Sequence, residues 1–166
     1  MKDNIYRREI LELAKLRNKK LLDVGAGELA IIAARDFNCY VTTIDLNQEK
    51  VDEQKKDLIK NKLKDKIKLE LGDATNLKYK DKSFDASVSY GALHHVPLNK
   101  RNNFISELCR VSREKVVIAE FTEKGFPHKD EYEKVDLVWL ENELKKYGRV
   151  EKHESTNKNV YVCDVK

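Results

Sequence analysis

Cysteine is scarce and scattered: Cys39, Cys109 and Cys163 stand far apart, with no Cys-x-x-Cys pair. An odd count at such spacing argues against a disulfide framework or a zinc knuckle and fits a reducing cytoplasm. No stretch approaches the roughly 18 apolar residues that a membrane span needs. Met1-Lys2-Asp3-Asn4 leads straight into a charged helical pattern, so the apolar core of a secretory signal is missing too. Neither sign of charge is in large excess. The 33 Lys and Arg face 29 Asp and Glu, and a net +4 does not by itself imply nucleic acid or an anionic membrane surface. With only 6 Gly and 2 Pro, each of those residues carries structural weight.

What is present suffices for one domain over residues 1–166. Hydrophobic residues make up 40% and charged residues 37%, the balance of a globular chain with a heavily charged surface. The hydrophobic pattern alternates between two periods. Helical spacing covers 5–17, 29–37, 47–61, 99–111 and 132–147, with Gly148 placed as the C-terminal cap of the last. Strand-like runs cover 21–24, 40–44, 67–71, 83–90 and 115–121. Two further alternating runs, 150–156 and 160–165, flank Asn157-Lys158-Asn159, which reads as a hairpin turn. Strands alternating with helices imply a doubly wound, mostly parallel α/β sheet of seven strands with helices on both faces. The closing hairpin adds an antiparallel strand at one edge. The charge runs at 49–60 and 61–66 read as solvated helix faces and loops.

Three acids fall at strand ends. In Leu21-Leu22-Asp23-Val24-Gly25-Ala26-Gly27-Glu28-Leu29, a strand ends in an acid and two glycines lead into a helix. Gly25 and Gly27 let backbone approach a ligand where a Cβ would collide. The helix start offers unpaired N–H groups. In an alternating chain this suits a nucleotide-like cofactor, against the plainer reading of a tight turn. Asp45 directly follows the second strand, where a carboxylate can accept both hydroxyls of an adenosine ribose. It could equally cap the helix that follows. Gly72-Asp73-Ala74 follows the third strand. There a carboxylate can accept an adenine amino group and the Ala74 N–H can meet a ring nitrogen, the alternative being a turn aspartate.

With Ser-Phe-Asp-Ala-Ser-Val-Ser-Tyr-Gly-Ala-Leu-His-His-Val at 83–96, these segments resemble, in order and spacing, the class I S-adenosylmethionine-dependent methyltransferases. The likeness is to the small-molecule branch that includes the ubiquinone- and menaquinone-biosynthesis type, and it runs over 21–122. It implies a Rossmann-like fold, S-adenosyl-L-methionine as cofactor and S-adenosyl-L-homocysteine as product. It places Asp23, Gly25 and Gly27 along the methionine part of the cofactor. Asp45 would hold the ribose with Leu46 beside the adenine, and Asp73 and Ala74 would read the adenine edge. Tyr90 and Gly91 would lie near the sulfonium and the methyl group. Two positions depart from the family pattern: Leu29 stands where a third glycine is common, and Ser112-Arg113-Glu114 replaces a Pro-Gly-Gly turn.

The implied chemistry is in-line methyl transfer to a small-molecule acceptor. Tyr90, His94 and His95 are the candidates for proton removal, with at most one histidine facing the methyl group. In the plainer reading His95 packs under the helix and His94 merely lines the pocket. Four histidines without close acidic partners do not make a metal site. Ser89-Tyr90-Gly91-Ala92 stands where methyltransferases of base or amide nitrogens carry Asn/Asp-Pro-Pro-aromatic, so nucleic acid is not indicated. With residues 1–20 before the first strand and a short 122–133 segment carrying Phe126-Pro127-His128 as a small lid, the site should be open. The first helix, a second subunit of a homo-oligomer or a larger partner would then cover it. Three alternatives share the fold: a methyltransferase acting on protein or RNA, an NAD-dependent oxidoreductase, and an inactive methyltransferase-like partner subunit.

Overall fold

The strands carry their apolar residues in alternation or in continuous runs, and the helices between them carry one apolar stripe each. Such elements bury both by stacking helices on the two faces of a sheet. The computed structural model describes residues 1–127 and 131–166. His128, and with it the end of the Phe126-Pro127-His128 segment, lies outside the described residues.

The elements alternate as the periods require: α1 (Arg7–Leu13), β1 (Lys20–Val24), α2 (Glu28–Asp36), β2 (Tyr40–Asp45), α3 (Gln48–Lys60), β3 (Ile67–Leu71), β4 (Phe84–Tyr90), α4 (Arg101–Val111), β5 (Ser112–Phe121), α5 (Leu137–Lys145), β6 (Gly148–His153) and β7 (Lys158–Val165). Two short 3-10 turns, Leu93–His95 and Leu98–Lys100, follow β4. The seven strands lie in the order β3-β2-β1-β4-β5-β7-β6. β1 to β5 are mutually parallel, and β7 runs antiparallel to both β5 and β6. The mostly parallel, doubly wound sheet with its antiparallel C-terminal strand is therefore the architecture the periodicity implied.

β1, β2, β4, β5 and β7 each feed both layers. Leu21, Val41, Val88 and Val117 pack with Ile10 and Leu11 of α1 and Ala30, Ala33 and Ala34 of α2. Leu22, Ile44, Val116 and Ile118 pack with Phe104, Ile105 and Leu108 of α4 and Leu140 and Leu144 of α5. The chain winds outward through β2 and β3, then returns to place β4 against the free side of β1. That reversal opens a crevice at the carboxyl ends of β1 and β4, where open α/β sheets bind ligands.

Several boundaries differ from the sequence reading. β5 begins at Ser112, so Ser112-Arg113-Glu114, read as replacing a turn, belongs to the strand. α1 stops at Leu13, and Lys15 takes a left-handed backbone (φ 56°) that ends the helix. α5 starts at Leu137 because the Asp136 side chain accepts the Val138 and Trp139 N–H groups. The hairpin turn lies at 154–157 rather than at Asn157-Lys158-Asn159, since β6 ends at His153 and Lys158 already pairs with Phe121 in the β5–β7 ladder. Gly148 does not cap α5, whose C-cap is Lys146; it opens β6. A Cβ at Gly148 would stand 1.8 Å from the Asp164 carbonyl oxygen, so close strand approach explains this glycine.

Candidate active site

A cavity of about 560 Å3 occupies the crevice, within the usual range for small-molecule sites. Asp23, Gly25, Gly27, Asp45, Leu46, Asp73, Ala74, Tyr90, Gly91 and His95 all line it. They arrive from the ends of β1 to β4, which lie side by side although the segments are far apart in sequence. His94 is not among the lining residues.

The three acids differ in their surroundings. Asp23 is 1% exposed, and its Oδ2 accepts the Thr43 hydroxyl at 2.9 Å. Burial pushes its carboxyl up to about 7, while the Thr43 hydrogen bond and the nearby Arg7 charge pull the other way. Asp45 is tied by backbone: Oδ2 accepts Ala26 N–H at 2.9 Å and Oδ1 accepts Asn47 N–H at 2.8 Å. It thus fixes the Gly25–Gly27 turn against β2. The cap of α3 is Asn47, whose side chain accepts from the Glu49 and Lys50 N–H groups, so Asp45 has no capping duty. Asp73 Oδ1 accepts both the N–H and the hydroxyl of Thr75, at 2.8 and 2.7 Å. Burial raises the Asp73 carboxyl, but the Thr75 hydrogen bonds and the Lys100 charge outweigh it and hold it below its ordinary value.

The glycines make room. Gly25 has φ +101°, a conformation L side chains rarely adopt, and donates its N–H to the Ile44 carbonyl at 2.8 Å. Gly27 is different: its φ of 171° suits any residue, and a Cβ there would meet no protein atom within 4 Å. Neither strain nor protein packing calls for glycine at 27, whereas a ligand lying against the backbone does. Gln54 of α3 holds this turn from behind by donating Nε2 to the Gly27 carbonyl at 2.7 Å. Leu46 projects beside the same space and is 71% exposed, an apolar surface that a flat ring would cover. The residues present therefore fit an adenosine-bearing ligand.

The two histidines take opposite places. His95 lines the cavity with its ring 4.4 Å from that of Tyr132, edge to face. His94 lies beneath, 2% exposed, with Nδ1 2.8 Å from Glu120 Oε1. Glu120 also accepts the N–H groups of His94 and Phe121. This reverses the plainer sequence reading, in which His95 was packed and His94 lined the pocket. The two rings stay in contact, with centroids 4.1 Å apart, but the buried Glu120 claims His94 and leaves His95 on the cavity.

Five other residues line the cavity or stand behind its lining without having been singled out as site residues in the sequence. Arg7, Lys100 and Tyr132 line the cavity. Lys158 is buried with its Nζ 3.8 Å from the Tyr90 ring centroid. Arg101 is buried and, among the described residues, donates only to carbonyls, those of His94, Val96, Glu133 and Lys134. One signal was legible: Arg101 lies on the apolar stripe of α4, where a solvated arginine has no reason to stand. The others become neighbours only through the topology.

A seven-stranded sheet of this order, with acids at successive strand ends around one crevice, has the Rossmann-like fold of the class I methyltransferases. The chain belongs to the methyltransferase-domain family, whose family model matches residues 22–119. It is 34% identical over 96 residues to 27-O-demethylrifamycin SV methyltransferase of Amycolatopsis mediterranei, covering 57% of this chain and 35% of that protein. The chain spans 32–39% of the length of the curated relatives it matches. Among solved structures, the PH0226 protein of Pyrococcus horikoshii superposes with TM-score 0.78 at 17% identity, over 96% of this chain and 90% of that one. A SAM-dependent methyltransferase from Aquifex aeolicus gives TM-score 0.75 at 19% identity, over 96% and 89%. At these identities the two structures speak for the fold. Among the described residues no group of His, Cys, Asp and Glu could hold a metal ion, and no helix is long and apolar enough to cross a membrane.

Proposed function

We propose that this chain binds S-adenosyl-L-methionine in the crevice and transfers its methyl group to a small-molecule acceptor by in-line displacement. One observation carries the reading: the strand ends of β1 to β4 bring Asp23, Asp45, Asp73 and the Gly25–Gly27 turn onto one cavity, which Tyr90 and His95 also line. The cofactor supplies an electrophilic methyl on a positively charged sulfur. The chain supplies position and dryness. Asp45, already anchored to the glycine turn, has lone pairs left for ribose hydroxyls. Asp73, held ionised, suits the adenine amino group. Orientation of this kind is worth roughly 7–11 kcal/mol when reactants are well placed.

His95 is the residue placed to take a proton from an acceptor, with Tyr90 lining the same cavity; His94 holds the floor through Glu120. The first twenty residues form part of the cover. Arg7 lines the cavity, and the Tyr90 hydroxyl donates to the Ile5 carbonyl at 3.3 Å. Residues 1–166 then act as one methyltransferase domain, with the acceptor entering between α1 and the Tyr132 side.

The test is isothermal titration with S-adenosyl-L-homocysteine on wild type and Asp45→Ala. Saturable binding that weakens in the variant supports the reading. No binding to wild type ends it, and stabilisation by NAD instead would turn the site to a nicotinamide cofactor.

A further inference from the structure

The net charge of the chain is concentrated in one place. Residues 60–68 carry Lys60, Lys62, Lys64, Lys66 and Lys68 against Asp65 alone, an excess equal to the +4 of the whole chain. The fold takes this run from the end of α3 into β3 and lays it beside the first residues of β1 and β2. That is the end of the parallel strands opposite the crevice. A second recess, of about 290 Å3, opens there, and its walls include Lys20, Tyr40, Lys64, Lys66 and Lys68.

An uncovered stretch of sheet makes the recess. Lys20 pairs with Tyr40 and Thr42 with Lys68, so by strand alternation these four share one face. On that face α4 and α5 pack over β4 to β7. Among the described residues, the 72–83 connection between β3 and β4 holds no helix that would extend the cover. Tyr40 is left 60% exposed, with the Lys66 ammonium 5.9 Å from its ring centroid. Lys66 is half-buried and donates to Asn38. Lys68 has an ion pair with Glu70, exposed and correspondingly weak. Among the described residues the ammonium groups of Lys20 and Lys64 have no hydrogen-bond or ion-pair partner.

An acidic peptide would use the lysines and leave the ring idle. A bilayer surface is flat and does not fill a recess. A single-stranded nucleic acid uses both features: its phosphates meet the lysines, and a base stacks on the ring. We propose that the amino ends of β1 to β3 form a binding surface for single-stranded nucleic acid. Lys20, Lys64, Lys66 and Lys68 hold phosphates, and Tyr40 stacks one base. The surface shares no lining residue with the crevice and stands independently of the methyltransferase reading.

The experiment is fluorescence anisotropy of a short labelled oligouridylate titrated with the full chain. Four phosphate contacts on a single strand give a slope of about −3 for log affinity against log salt, a loss of roughly fiftyfold between about 50 and 200 mM. Replacing Lys20, Lys64 and Lys68 together by Gln should reduce that slope by about 2. Tyr40→Ala should weaken the oligouridylate by roughly fivefold or more, the scale of one stacked base, and Tyr40→Phe should bind as wild type does. An abasic strand with the same phosphates should bind wild type and Tyr40→Ala alike. The proposal falls when wild type does not bind the oligouridylate at the lower salt, when the lysine variant keeps the full slope, or when Tyr40→Ala loses the abasic strand equally. Polyglutamate or phosphatidylserine vesicles binding more tightly than the oligouridylate also overturn it, in favour of an acidic protein or a membrane. Urea unfolding checks each variant, and the comparison of Tyr40→Ala with Tyr40→Phe decides alone where the lysine variant does not fold. Failure of the crevice to bind S-adenosyl-L-homocysteine ends the methyltransferase reading and leaves these outcomes untouched.

Discussion

Asp23 is the residue whose surroundings most oppose its charge. Its folded value of about 7 exceeds the ordinary 3.8, so the unliganded protein favours the protonated form below about pH 7. The stability this contributes is complete below about pH 4 and is lost as pH rises through about 7. A cationic ammonium of the cofactor beside Asp23 favours the carboxylate instead. Affinity for S-adenosyl-L-homocysteine should therefore rise with pH up to about 7, by at most roughly tenfold per unit. Asp23→Asn should flatten both that rise and the slope of melting temperature between pH 5 and 8; titrations at pH 6 and 8 check it. Gly27 separates fold from function. Gly27→Ala should leave stability within about 0.5 kcal/mol, since its Cβ meets no protein atom. It should weaken the nucleoside by roughly fivefold or more, the size of a small overpacking penalty. Urea unfolding and calorimetric titration of the same variant give the two readings. At this scale the sequence was informative about acids and glycines, because strand ends and glycine turns leave a local pattern. It was silent on Lys158, which looks like any surface lysine until β7 is laid against β5.

At the scale of elements, the acceptor wall is held by one side chain. Arg101 of α4 reaches the carbonyls of His94 and Val96 on one side and of Glu133 and Lys134 on the other. It thus joins the turn that carries His95 to the segment that carries Tyr132. Arg101→Leu leaves buried carbonyls without a donor. It should cost roughly 1–3 kcal/mol in urea unfolding. Affinity for S-adenosyl-L-homocysteine should stay near wild type, because Asp45 and Asp73 hang from other strands, while capture of the acceptor suffers. The helix period located α4 well, but helix 132–147 was started five residues too early and ended two too late against Leu137–Lys145. Tyr132 fits an apolar stripe in sequence, yet Asp136 caps the helix and leaves Tyr132 for the cavity. Gly148 misled in the same way. A glycine after a helix is most often a cap, and only the neighbouring strand shows why this one is needed.

Over the whole molecule, the crevice joins the two halves of the sheet, and a ligand seated there contacts the ends of β1, β2, β3 and β4 together. Binding to the folded state alone should stabilise it by about 2.7 kcal/mol at a hundred times the dissociation constant. For a chain of this size that is a rise of several degrees in melting temperature, which 5′-methylthioadenosine and S-adenosyl-L-homocysteine should both produce and Asp45→Ala should reduce. A scan with and without each nucleoside decides this.

The sequence by itself determined the element types, their alternation and hence the parallel sheet, because strand and helix periods are local properties of hydrophobic spacing. It also marked Asp23, Asp45, Asp73 and the glycine turn, since each stands at a strand end readable one segment at a time. Only the tertiary structure decided which histidine faces the cavity, which lysine is buried, and that Arg7 and Lys158 meet on Tyr90. Those outcomes depend on contacts between α1, β4, β5 and β7, elements separated by most of the chain. No local pattern carries the sum of burial and charge that such an encounter produces.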